Sequence, residues 1–161
     1  MKLSDVMKKD VATCRKTDSL GRAAGLMWDA AIGCVPVLDE SGRPIAMLTD
    51  RDICMAVYLT GKMPWQLSVE SAMSKTVACV RRDRTLEQAA MLMREHRVHR
   101  LPVVDPEGRL CGLVSLSDLA TATVEVGAGR DNADTVARTL RAVSSRPQAP
   151  LDGATAPESS A

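Results

Sequence analysis

A chain of 161 residues suffices for one average domain, or for two half-size units packed together, and is too short for two fully independent domains of ordinary size. Its 45% hydrophobic and 25% charged residues are the balance of a soluble globular protein, which excludes disordered, fibrous and membrane classes. Twenty-one Lys and Arg against 20 Asp and Glu leave a net charge of +1, and there is no Phe, one Tyr and two Trp. The chain therefore has no overall pull on nucleic acid or anionic lipid, and it lacks the rings for a base-stacking platform.

The opening residues, Met1 to Asp10, are too polar for a signal-peptide core, and no apolar run approaches the roughly 18 residues of a spanning helix. Cys14, Cys34, Cys54, Cys79 and Cys111 are odd in number, widely spaced and without a C-x-x-C pair. They read as free thiols of a reducing compartment, so a cytoplasmic protein is expected.

Sliding the chain by 66 places superimposes residues 3–53 on 69–119 without a gap, and 16 of the 51 pairs are identical. Among them are Met7/Met73, Leu20/Leu86, Ala23/Ala89, Pro36/Pro102, Gly42/Gly108 and Asp52/Asp118. Unrelated segments would match at roughly one position in fifteen, so the chain is a duplicated unit followed by a tail.

Each copy predicts the same elements. Ser4 and Ser68 are placed to cap a short turn carrying Val6-Met7 or Ala72-Met73 inward. Val11 to Cys14 and Val77 to Val80 are short apolar runs suited to strands. Leu20, Ala23, Ala24 and Met27, like Leu86, Ala89, Ala90 and Met93, recur at i, i+3, i+4, i+7. That is one face of a helix, capped by Asp18 or Ser19 in the first copy and Thr85 in the second. Two strands follow, Cys34–Leu38 with Ile45–Leu48 and Val98–Val104 with Leu110–Val114, joined by short turns in which Gly42 and Gly108 supply positive φ. A second helix begins at Thr49 or Ser115, with Ile53, Ala56 and Val57, or Leu119 and Ala122, inside.

The unit is thus β-α-β-β-α. A three-stranded sheet cannot bury both faces alone, so the two units should pack with pseudo-two-fold symmetry around one shared core. Four segments are expected: 1–66, the first repeat with its linker; 67–126, the second repeat; 127–143, a last helix with Ala133, Val136, Ala137, Leu140 and Val143 on one face after the break at Gly127-Ala128-Gly129; and 144–161, a disordered Ser/Pro/Ala tail.

The duplicated unit, the segments Val35-Pro36-Val37-Leu38-Asp39 and Leu101-Pro102-Val103-Val104-Asp105, and the endings Met47-Leu48-Thr49-Asp50-Arg51-Asp52 and Gly112-Leu113-Val114-Ser115-Leu116-Ser117-Asp118 resemble a tandem CBS (cystathionine-β-synthase) domain pair, the Bateman module, of stand-alone type. The resemblance covers residues 3 to about 124. It implies an α/β fold, a disc-like homodimer of four repeats, and adenosyl ligands in the clefts between repeats: AMP or ATP first, ADP, NAD(P) or S-adenosylmethionine as further candidates. It also implies a regulatory rather than catalytic role.

By the same resemblance Asp52 and Asp118 hold ribose hydroxyls, and Thr49 and Ser115 contact ribose or phosphate. The base lies near Thr13 or Cys79 and beside Val35-Pro36 or Leu101-Pro102. The chemistry agrees, since Thr49/Asp52 and Ser115/Asp118 stand at the first and fourth positions of a helix start, where free N–H groups, a hydroxyl and a carboxylate meet. Those pairs are equally capping boxes. Arg97 and Arg100 in Arg97-Val98-His99-Arg100 offer a phosphate clamp in the second copy, where the first has Ala31-Ile32-Gly33-Cys34, so the two sites should differ in affinity.

Other readings carry less. His96 and His99 fall on different elements, without the Cys or carboxylate cluster a metal needs. The thiols read as small buried hydrophobes before a redox switch, and Lys62-Met63-Pro64-Trp65 as a lid over the core or a dimer contact. No nucleophile motif, P-loop or metal triad supports an enzyme, and a dimeric interaction scaffold with vestigial clefts is the alternative to a nucleotide sensor acting on an unidentified partner.

Overall fold

The computed structural model describes residues 1–125 and 130–144. The break at 127–129 and the tail from 145 onward therefore lie outside the described residues.

Each copy builds one three-stranded sheet. In the first, β1 (Cys14–Arg15) runs parallel to β2 (Cys34–Leu38), which is antiparallel to β3 (Pro44–Thr49). Helices α1 (Leu20–Asp29) and α2 (Asp50–Thr60) connect and follow them. The second copy repeats this with β4 (Val80–Arg81), α3 (Leu86–His96), β5 (Arg100–Val104), β6 (Leu110–Ser115) and α4 (Leu116–Glu125). The registers match pair for pair: Cys34 faces Thr49 as Arg100 faces Ser115, and both hairpins shift register one residue before the strand end. Gly42 and Gly108, at φ 81° and 82°, make the hairpin turns as the sequence predicts.

Ser19, rather than Asp18, caps α1 by accepting from the Arg22 N–H at 3.1 Å, and Thr85 caps α3 in a box with Gln88. The runs at 11–14 and 77–80 yield only two paired residues each, because only Cys14-Arg15 and Val80-Arg81 lie beside a partner strand. Strand β5 likewise starts at Arg100, since α3 ends in a left-handed residue, Arg97, and the chain must first turn. Ser4 and Ser68 are not the caps expected of them. Ser4 lies inside the 3-10 turn Leu3–Asp5 and bonds Asp5, and Ser68 precedes its turn without a side-chain bond.

The interior departs from the expected single core. Two clusters form, one per sheet, and each is sealed by the leading segment of the other copy. Leu3 is fully buried in the second cluster, its N–H donating to the Arg84 carbonyl at 2.9 Å. Val69 is fully buried in the first, donating to the Asp18 carbonyl at 2.8 Å, and Leu67 closes the same core. The 66-residue period finds the copies but cannot show that their first ten residues are exchanged.

The crossed segment leaves no room for a side chain at one position of β6. Lys8 pairs antiparallel with Leu113 on β6, through two 2.9 Å bonds, so the leading segment lies directly on the sheet. A Cβ on Gly112 would stand 2.6 Å from the Met7 sulfur and 3.0 Å from the Lys8 carbonyl. Gly112→Ala should therefore lower stability by about 1 to 3 kcal/mol in urea unfolding through overpacking, although the first copy carries Ala46 at the same place.

Helix α5 (Arg130–Ser144) packs on α3 and α4. Its inward face is Val136, Thr139 and Val143, whereas Ala137 and half of Leu140 face solvent. The side chain of Ala133 lies outside the described residues. Thr139 can take the buried place because its hydroxyl donates to the Thr135 carbonyl at 2.7 Å.

Candidate functional site

The strand-to-helix junctions of the two copies are the same structure. At the first, Asp52 Oδ2 accepts from the Thr49 N–H at 2.9 Å and from its hydroxyl at 2.6 Å, while the Asp52 N–H donates to Thr49 Oγ1 at 3.1 Å. At the second, Asp118 Oδ2 accepts from the Ser115 N–H at 2.8 Å and its hydroxyl at 2.6 Å, and the Asp118 N–H donates back at 3.2 Å. Both are complete capping boxes that occupy one carboxylate oxygen. The other oxygen, Oδ1, takes no part in the box.

What surrounds each junction differs, and the exchanged leading segments supply part of the difference. Lys8 brings its ammonium within 3.9 Å of Asp118 Oδ1, whose side chain is 18% exposed. The residue equivalent to Lys8 is Ser74, whose N–H donates to the Met47 carbonyl and whose hydroxyl accepts from the Met47 N–H at 3.0 Å. Lys8 escaped the sequence reading because its partner lies more than a hundred residues away. The only signal for it is that it precedes the first strand of the opposite copy.

Arg100 and Cys34, equivalent by the repeat, lie next to each other across the two copies, the guanidinium offsetting the effect of burial on the thiol. Arg100 also lines a cavity of about 370 Å³ with His99, Ser115 and Ser117, walled on the far side by Val136 and Leu140 of α5. The Ser115 and Ser117 hydroxyls are 2.8 Å apart. Arg97 is not among those lining residues; it is the exposed left-handed end of α3, at φ 52°. Thr13 and Cys79 are half-buried just before β1 and β4. Val35 and Leu101 are fully buried in the two cores, and Pro36 and Pro102 are buried with them. These strand residues could meet a ligand only through their backbone.

Among the described residues no group of three or more His, Cys, Asp or Glu is gathered for a metal ion. The thiols are mostly inert: burial pushes Cys14 up from 9.0 to about 11 and raises Cys34, Cys79 and Cys111 as well. Cys54 departs from the expected pattern by being exposed on α2. At pH 8 a thiol reagent should therefore label Cys54 first and Cys14 last, read by peptide mass spectrometry. Because the folded Cys14 holds its proton more tightly than the unfolded one, its contribution to stability is complete below about pH 9 and disappears as pH rises through about 11.

The CBS domain model matches residues 3–59 and 69–125. The chain is 37% identical over 118 residues to the CBS domain-containing protein YhcV of Bacillus subtilis, covering 73% of this chain and 82% of that one. It is 35% identical over 130 residues to an inosine-5'-monophosphate dehydrogenase of Methanocaldococcus jannaschii, but covers only 25% of that enzyme, and it spans 60% of a Methanopyrus kandleri relative with 32% identity. Among solved structures, protein ATU1752 of Agrobacterium tumefaciens matches with a TM-score of 0.66 and 33% identity over 76% of this chain and 98% of that one. The domain pair of protein MJ0100, solved with 5'-methylthioadenosine and S-adenosylmethionine, matches with a TM-score of 0.69 and 24% identity over 78% of this chain and 98% of that one.

Proposed function

This chain belongs to the CBS-domain family, and from that premise we propose that it is a regulatory module that binds an adenine nucleotide between its repeats and signals to a partner protein. The observation that carries the reading is the Ser115–Asp118 junction. There a carboxylate with one oxygen held in the cap and the other directed toward Lys8 adjoins a cavity bearing Arg100, Ser115 and Ser117. A carboxylate suits a ribose diol, and a guanidinium beside hydroxyls and a helix start suits a phosphate.

AMP or ATP fits best, because Arg100 and Lys8 supply cations that the Thr49–Asp52 junction replaces with Cys34 and Ser74. The Thr49–Asp52 junction would bind more weakly, or prefer a ligand without phosphate. NAD(P) and S-adenosylmethionine are the alternatives, the latter supported by the ligands bound to MJ0100. The matched part of the dehydrogenase relative is a quarter of that protein, in keeping with a regulatory rather than catalytic segment. We place the module in the cytoplasm and read it as a homodimer; no helix of the described residues is long and apolar enough to cross a membrane.

A scaffold reading is favoured by one observation, the exposed Trp28, Tyr58 and Leu59 on α1 and α2. Mass spectrometry of the supernatant from denatured, freshly purified protein separates the two. An adenine nucleotide near one equivalent supports the sensor, whereas neither copurified nucleotide nor a thermal shift with any adenosyl ligand would move the scaffold to first place.

A further inference from the structure

The exchange of leading segments builds a basic hollow that neither copy makes alone. Lys2, Ser4, Met7 and Lys9 of the first leading segment line it together with Arg82 and Asp83, which follow β4, and its volume is about 340 Å³. Its walls are held at three points: the Leu3 N–H donates to the Arg84 carbonyl at 2.9 Å, the Ser4 N–H donates to the Arg82 carbonyl at 3.1 Å, and Lys8 pairs with Leu113. The hollow shares no lining residue with the cavity at Arg100.

Its charges do not cancel. Lys2, Lys9 and Arg82 are exposed, and among the described residues none of them forms an ion pair. Two neighbouring carboxylates are already engaged. Asp83 accepts from Arg81 with both oxygens, at 3.2 and 2.9 Å, and Arg81 first, with Arg84 more weakly, holds this carboxyl below its ordinary value. Asp5 accepts the Lys2 backbone N–H at 3.0 Å and the Ser4 hydroxyl at 2.9 Å. The first copy has a neutralised version of the same place. There Glu70 and Lys16 stand where the second copy has Ser4 and Arg82, and they are joined at 3.4 Å; Ser68 and Asp18 stand in place of Lys2 and Arg84. Like charges held together repel, so the second copy gives up an ion pair and gathers cations at a cost that a bound anion would offset.

We propose that this hollow binds an anion of linked phosphates, as a second ligand site separate from the two strand-to-helix junctions. Arg82 offers a planar fork that takes two oxygens of one phosphate, while Lys2 and Lys9, as point charges on flexible stems, reach the next. Linked phosphates suit the hollow better than a nucleic-acid strand, because Met7 is its one apolar lining residue and no ring is present on which a base would stack. The anion joins the leading segment to the second copy. It therefore binds only while the segment is crossed over, and stabilises the folded chain by mass action.

Tripolyphosphate is the probe, at about 1 mM and constant ionic strength, read by calorimetry and by the melting temperature of the full chain. It should bind the wild type and raise the melting temperature, with monophosphate at least about tenfold weaker because it spans fewer cations. Ser4→Glu, which imports the ion pair of the first copy, and Arg82→Ser should each weaken tripolyphosphate at least about fivefold. The Arg82 side chain donates no hydrogen bond among the described residues, so Arg82→Ser should melt no lower than wild type without ligand. Arg100→Ala should leave tripolyphosphate binding unchanged. ATP identifies the source of the phosphates. Weaker ATP with unchanged AMP in Ser4→Glu assigns them to a nucleoside triphosphate, a response of tripolyphosphate alone assigns them to an inorganic anion, and either result supports the site. Neither heat nor shift in the wild type overturns it, as does sulfate stabilising the chain as well as tripolyphosphate, or binding lost in Arg100→Ala and kept in Arg82→Ser. A single-stranded oligonucleotide that competes tripolyphosphate away and binds more tightly gives the surface to nucleic acid and overturns the proposal.

Discussion

Asp118→Ala should weaken adenine-nucleotide binding at least tenfold, and Asp52→Ala should weaken phosphate-bearing ligands less. A buried carboxylate accepting ligand hydroxyls makes charge-assisted bonds worth about 1.5 to 3 kcal/mol, which corresponds to roughly a ten- to hundredfold change in affinity. Asp118 is 18% exposed and has Lys8 beside Oδ1; the other junction has Ser74 at the equivalent place and Cys34 where Arg100 stands. Alanine also removes the carboxylate half of the capping box, leaving the Ser115 hydroxyl to cap the helix alone, so a weakened ligand could be confused with a loosened fold. Asp118→Asn separates the two. Its amide oxygen can still cap Ser115 while the charge on the diol is lost, so binding should fall with the unfolding midpoint nearly kept. Calorimetry with AMP, ATP, NAD and S-adenosylmethionine on wild type and all three variants decides the assignment. Affinity unchanged in both Asp variants would leave binding intact and refute this site.

The junction was legible in sequence because its parts are local. Thr49 with Asp52, and Ser115 with Asp118, are three residues apart, and helix geometry alone brings hydroxyl, amide and carboxylate together. Arg100 stood out in sequence as the basic residue where the first copy has Cys34, and the structure adds that it begins β5 opposite Ser115. Lys8 did not, since its approach to Asp118 depends on where the leading segment crosses to the other sheet. Arg97 stands apart from Arg100 for a related reason: it is itself the left-handed residue that ends α3, and the chain turns there before β5 begins. Trp65 shows the same limit. The turn Pro64–Gln66 packs its backbone on α1 at Gly21, as a lid would, yet its ring is 66% exposed and covers no core. Apolar periodicity on α5 suggested Leu140 as an inward residue, but a threonine that bonds its own helix took the buried position.

Removing residues 61–161 should leave residues 1–60 unfolded, even though they contain every strand and helix of the first repeat. The fragment lacks Leu67 and Val69, which close its core, and lacks the Leu67 carbonyl that accepts from Leu20 at 2.8 Å. It also exposes Leu3, which belongs in the other core. Each fully buried Leu or Val is worth about 1.5 to 3 kcal/mol, so three such losses approach the whole stability of a small domain. The same crossing makes the two sheets unfold together. Leu3→Ala, at the start of the chain, should cost about 2 to 5 kcal/mol. That loss should be felt in the first repeat as much as in the second, although Leu3 touches only the second core. Hydrogen exchange followed by mass spectrometry reads this directly: amides of α1 and of α3 should lose protection by the same factor in Leu3→Ala. Protection retained in α1 and lost in α3 would mean two independent units, as would a folded, monomeric 1–60 fragment. Either result would show that the crossed segments decorate the cores without joining them.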